Sequence, residues 1–73
     1  MKNNLDLHGV RYEDVQQLVD NHLWNAMKKK EDRVFIITGN SDAMKRIVSD
    51  VVKEYGYIVA ESLSNSAELI IEL

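Results

Sequence analysis

The sequence predicts an α/β fold: a two-layer sandwich of order β-α-β-α-β-β, with both helices on one face of a four-stranded mixed sheet. Three observations predict it. Apolar periodicity alternates between the strand period and the helix period along the chain. Glycines at positions 9 and 39 punctuate two strand-to-helix transitions. The chain then closes with two strand-like runs separated by the polar cluster Ser64-Asn65-Ser66, the pattern of a hairpin. Both crossovers should be right-handed, which places both helices on the same side of the sheet. Strands one to three are then parallel and strand four antiparallel. Strand four is more apolar than strand three, so it belongs inside, giving the order 1-2-4-3.

Each element has its own signal. Residues 3–8 read as strand one, with Leu5 and Leu7 toward the core and Asp6 and His8 toward the open face. Over 12–29 the period is helical. Val15, Leu18, Val19, His22, Leu23, Ala26 and Met27 form one stripe. Glu13 and Asp14 in the first turn and Lys28-Lys29-Lys30 in the last match the helix dipole. His22 in this stripe reads as a partly buried, hydrogen-bonded histidine, and Trp24 as packing at the helix margin. The lysine run reads as a solvated helix end at the opposite edge of the sheet. Strand two covers 33–38, and its run Val34-Phe35-Ile36-Ile37 suggests burial on both faces.

Asn40 or Ser41 is the N-cap of helix two, with Asp42 in the first turn. Met44, Ile47, Val48, Val51, Val52 and Tyr55 form its stripe, and Gly56 is placed as a left-handed C-cap. Strands three and four cover 57–63 and 68–73. Phe35 or Ile37, with Ile70, fall toward the uncovered sheet face, which invites self-association.

Composition bounds the function. A chain of 73 residues makes one small domain, 1–73, with a thin core. Hydrophobic residues make up 45% and charged residues 29%, the balance of a soluble globular protein. Without cysteine there is neither a disulfide framework nor a thiolate metal site, and with two histidines no structural metal is expected. No proline and only three glycines imply regular structure nearly end to end. No run reaches the roughly 18 apolar residues of a membrane span, and Met-Lys-Asn-Asn has no apolar segment behind it. A cytoplasmic protein with no signal peptide and no membrane contact is expected. The formal net charge of −3 argues against indiscriminate nucleic-acid binding but leaves room for a local basic patch.

The chemistry gathers where strands one and two end. Parallel strands finish at the same edge, so residues 9–11 and 39–41 should be neighbours. Each turn leads into a helix N-terminus, whose free N–H groups and dipole suit an anion such as phosphate. Gly9, Arg11, Gly39, Asn40, Ser41, Lys45 and Arg46 are the candidate phosphate or nucleic-acid contacts. By position alone Asp6 and His8 are either polar residues on the open face of an edge strand or a candidate catalytic pair. They lie roughly 7 Å apart along a strand, close enough for the carboxylate to orient the ring. An imidazole takes or gives a proton near neutral pH. Tyr12 beside them is a candidate for stacking on a base.

Leu5-Asp6-Leu7-His8-Gly9 opening such a chain, and Ile36-Ile37-x-Gly39 before the second helix, resemble the Smr (small MutS-related) domain over essentially the whole length. The resemblance implies endonuclease activity on RNA or DNA, RNA ahead of DNA, and the ribosome as a setting in some members. It puts the family's Asp-x-His on Asp6 and His8. The second motif, His-Gly-x-Gly, falls on Thr38, Gly39, Asn40 and Ser41, where only Gly39 is kept and the imidazole is absent. The chain is thus a candidate endonuclease lacking the second-motif histidine. No cofactor is predicted, and a divalent-metal requirement is left open. Two alternatives stay open beside it: an inactive adaptor at nucleic acid or the ribosome, and a self-associating module, monomer or weak homodimer.

Overall fold

The computed structural model describes residues 4–73. The elements are β1 (Asn4–Asp6), α1 (Tyr12–Lys28), β2 (Arg33–Ile37), α2 (Asp42–Glu54), β3 (Ile58–Glu61) and β4 (Glu68–Glu72). The sheet order is β1-β2-β4-β3, with β1 parallel to β2 and β4 antiparallel to both of its neighbours. This is the expected architecture and the expected strand order.

One core holds the two layers together. Leu7, Val34, Ile36, Leu69 and Ile71 face inward from the sheet side. Val15, Val19, Leu23 and Ala26 of α1 and Met44, Val48, Val51 and Val52 of α2 cover them. The helical positions recur every three or four residues, so each helix presents one apolar stripe. Each large core side chain contributes about 1.5–3 kcal/mol by leaving water. Leu18, expected in the α1 stripe, is instead exposed, and Leu5 is only partly buried. Trp24 is 59% exposed on the outer side of α1 rather than packed at its margin.

On the sheet's other face, cross-strand registry aligns Phe35, Ile70 and Ala60, with Ile37 and Ile58 beside them. The first two are partly buried, and Ile58 is 63% exposed. The expected apolar face is therefore present, wider by Ile58 and Ala60 than the sequence suggested.

The helix ends follow their local chemistry. Ser41 is the N-cap of α2, its Oγ accepting the Met44 N–H at 3.1 Å. α1 starts after Arg11 with no side-chain cap. α1 ends in a Schellman-type closure, the Glu31 N–H donating to the Ala26 carbonyl at 3.0 Å. The left-handed residue there is Lys30 (φ 58°), a position where glycine is usual. Gly56 fills the equivalent place after α2, at φ 79°.

At the far end of the helices the Tyr55 hydroxyl donates to Asp20 Oδ1 at 2.6 Å, and its ring stacks on Tyr57 at 5.8 Å. The bond to the Asp20 carboxylate pushes the Tyr55 phenol up to about 12. Its stabilising effect is complete below about 10, the unfolded value, and is lost as pH rises toward 12.

β1 is shorter than expected. Asn3, the first residue of the predicted strand, lies outside the described residues. At the other end, Leu7 still donates to the Ile37 carbonyl at 2.9 Å. Beyond it the chain reverses, with the His8 N–H on Asp6 Oδ1 and the Val10 N–H on the Leu7 carbonyl. β3 is also shorter than 57–63, and Leu63 is fully exposed beyond it.

Candidate functional site

The two strand-end turns meet as predicted. Residues 7–10 and 38–41, with Tyr12 and Met44, line a depression of about 320 Å³. Tyr12 at the start of α1 and Ser41 at the start of α2 touch across it, hydroxyl to hydroxyl at 3.3 Å. A larger groove of about 540 Å³ runs from Gly9 and Arg11 along α1 past Asp14, Gln17 and Asn21. It is lined by Asp14 but no imidazole, whereas His8 borders the smaller depression.

The first turn is held by its own aspartate. Asp6 Oδ1 accepts the His8 backbone N–H at 2.9 Å, an Asx-type turn. The Val10 N–H closes onto the Leu7 carbonyl at 3.0 Å, and Gly9 takes the left-handed conformation (φ 79°) that this reversal needs. His8 therefore sits on the turn rather than on the strand face. Its side chain is exposed and its ring forms no hydrogen bond among the described residues. Asp6 acts on His8 through the main chain, not by contact with the imidazole.

The second turn is tied into the β3–β4 hairpin. The Ala67 carbonyl accepts the Thr38 N–H at 2.8 Å and the Gly39 N–H at 3.2 Å. The Thr38 hydroxyl donates to the Gly39 carbonyl at 2.9 Å and also lies 3.3 Å from the Ala67 carbonyl. Thr38 is 4% exposed, and its hydroxyl is turned to main-chain carbonyls although the residue lines the depression. Asn40 Oδ1 accepts from the Ser66 hydroxyl at 3.2 Å, leaving its amide N–H groups as donors. Asn65 in turn accepts the Ala67 N–H, which shapes the hairpin tip that braces the site.

The family model for the Smr domain matches residues 5–68. The chain belongs to the Smr domain family. Smr domains are in general nucleic-acid-binding and nuclease-like. No curated protein and no solved structure matches the chain.

In this Smr domain the structure brings together His8, Gly9, Gly39, Asn40 and Ser41, with Asp6 behind His8. Arg11 stands at the margin of the same edge, its guanidinium 3.6 Å from Glu13 in an exposed pair that holds it weakly. The Gly39 N–H, a candidate phosphate donor, is committed to Ala67. Lys45 is not brought to the depression. Its ammonium lies 3.5 Å from Glu61, and its side chain is 17% exposed. Arg46 is exposed on α2 but does not line the depression either. Sequence reasoning missed the hairpin as the brace of the second turn. The Ser-Asn-Ser cluster signals a turn but not what it touches. Among the described residues no three His, Cys, Asp or Glu side chains could hold a metal ion. None of the helices there is long and apolar enough to cross a membrane.

Proposed function

We propose that this Smr domain binds RNA, ahead of DNA, through the depression between the two turns and cleaves it with His8 as proton acceptor. One observation carries the reading. An exposed imidazole with no hydrogen-bond partner among the described residues, on a turn fixed by Asp6, faces a concave site bordered by two helix N-termini. Phosphate would rest on the free N–H groups of those first turns, the Asn40 amide and the Arg11 guanidinium.

For RNA the chemistry balances with a single imidazole. His8 takes the proton of a ribose 2′-hydroxyl, and the oxygen attacks the adjacent phosphorus. The P–O5′ bond breaks, giving a 2′,3′-cyclic phosphate and a 5′-oxyanion that takes a proton from water, and the hydroxide left is neutralised by the proton His8 took. The developing charge falls on the same donors that bind the ground-state phosphate. DNA would need water as the nucleophile.

Cleavage of end-labelled RNA and DNA by the wild type and by His8→Ala tests this. Wild type should cut RNA to a cyclic-phosphate end, and one 2′-deoxy substitution at the cut should block it. His8→Ala should lose about 10²–10⁴ in rate. Cutting by the variant at the wild-type rate would overturn the assignment of His8.

Burial of Thr38, where the family pattern has histidine, favours a second reading: binding without cleavage, as an adaptor on RNA or the ribosome. Salt-sensitive binding by a wild type that cuts nothing would select it. The apolar sheet face around Phe35, Ile70 and Ile58 fits a weak homodimer as well, and sedimentation over a concentration series would detect it.

A further inference from the structure

Tyr12 opens α1 and is 54% exposed, yet its ring is not loose. Its hydroxyl reaches Ser41 Oγ at 3.3 Å, and Ser41 is itself fixed because the same oxygen accepts the Met44 N–H. The side chain therefore spans from the first turn to the second. It borders the His8 depression and also, with Gly9, Val10 and Arg11, an adjoining one of about 470 Å³. An aromatic side chain with its free end tethered loses little freedom when a flat ligand lies on it.

Charge at the same edge limits what that ligand can be. Asp6, Glu13, Asp14 and Asp42 are all exposed, against Arg11 and Arg46. Lys45 is already engaged by Glu61. A duplex would press two phosphate backbones against these carboxylates, with its bases stacked inside and out of reach. A single strand needs only one phosphate at the donors and can turn a base toward the ring.

We propose that Tyr12 is the stacking platform for one unpaired nucleobase beside the phosphate at His8, and that it makes the site select single-stranded over double-stranded nucleic acid. The proposal rests on the nucleic-acid reading above and names its substrate class. Every base has a π face, so the contact tolerates any base sequence.

The test is a binding titration at low salt with a short unstructured RNA and with the same sequence as a blunt duplex. A companion set of single strands carries 2-aminopurine at successive positions. Tyr12→Leu should weaken single-strand binding by about five- to 150-fold. It should also abolish the 2-aminopurine quenching that wild type produces at one position. Tyr12→Phe and Tyr12→Trp keep a ring and should stay within about threefold of wild type. Their recovery excludes misfolding as the cause of the loss, and circular dichroism of Tyr12→Leu provides the direct check. The duplex should bind more weakly than the single strand and be indifferent to Tyr12→Leu. Equal affinity for both forms, or a Tyr12→Leu protein that binds the single strand as wild type does, overturns the proposal alone. A wild type that binds neither form overturns the nucleic-acid reading and this proposal with it.

Discussion

The two turns at the edge where β1 and β2 end have the same architectural position and opposite fates. Each follows one of two paired parallel strands, each contains a glycine with positive φ (79° at Gly9, 69° at Gly39), and each leads into a helix. In the first, a carboxylate holds the main chain and leaves the imidazole two residues on in solvent. In the second, the N–H groups of Thr38 and Gly39 are spent on the Ala67 carbonyl of the hairpin, and the Thr38 hydroxyl on the turn's own Gly39 carbonyl. A loop can offer chemistry only with the groups its own structure has not consumed. By that measure the first turn is the half of the candidate site with a side chain still free to react. The second is its wall, still supplying Asn40 and the capped start of α2.

The sharpest way to break this contrast is to exchange the roles by mutation. Thr38→Val keeps the shape of a buried side chain but deletes the donor to the Gly39 carbonyl. It should cost about 1 kcal/mol of stability, because a part-buried acceptor loses its partner. In a domain of this size that lowers Tm by about 4–8 °C per kcal/mol. His8→Ala, at an exposed turn position, should leave Tm close to wild type while removing cleavage. A Thr38→Val protein that melts like wild type but no longer binds RNA would reverse the assignment.

Asp6 separates two ways in which a carboxylate can serve a histidine. Its observed contact is with the His8 N–H, so geometry should matter more than charge. Asp6→Asn keeps an acceptor oxygen at the same place and should retain most of the activity. Asp6→Ala loses the turn's anchor and should drop stability by about 1 kcal/mol, with a clear fall in cleavage rate. Measuring both rates and both unfolding midpoints in urea decides between the roles. If Asn is as damaging as Ala to the rate, the charge of Asp6 on the imidazole is what counts.

The fold was almost wholly legible in the sequence because it rests on patterning. Helical stripes at 15-19-23-26 and 44-48-51-52, a polar hairpin turn and the apolar character of residues 68–73 were enough to give the sheet order. The site was legible as a neighbourhood, not as a set of available groups. Strand alternation put His8 on the open sheet face, whereas the Asp6 contact, the Val10–Leu7 closure and the left-handed Gly9 place it on a turn. Proximity to a helix start nominated Lys45 and Gly39, but their partners, Glu61 and Ala67, come from elements far along the chain. Spacing says which residues share an edge. It does not say which of their donors tertiary structure has already taken.

The smallest expected effect probes the difference between the two helix starts. Ser41 caps α2, whereas Arg11 at the same position of α1 forms no side-chain cap. A serine would be the better residue for the helix, since its hydroxyl could accept the N–H of Glu13, the Asp14 N–H already donating to the residue 11 carbonyl. Arg11→Ser should therefore raise stability by about 0.5–1 kcal/mol, a shift of a few degrees in Tm. It should also weaken RNA binding and reduce the slope of log affinity against log salt by about 0.7, one phosphate contact on a single strand. A stabilised variant with weaker, less salt-sensitive binding means that the first turn gives up helix stability to keep a cation and open N–H groups at the site. A stabilised variant that binds as wild type means that Arg11 touches no phosphate, and the backbone donors of the two turns hold the anion without it.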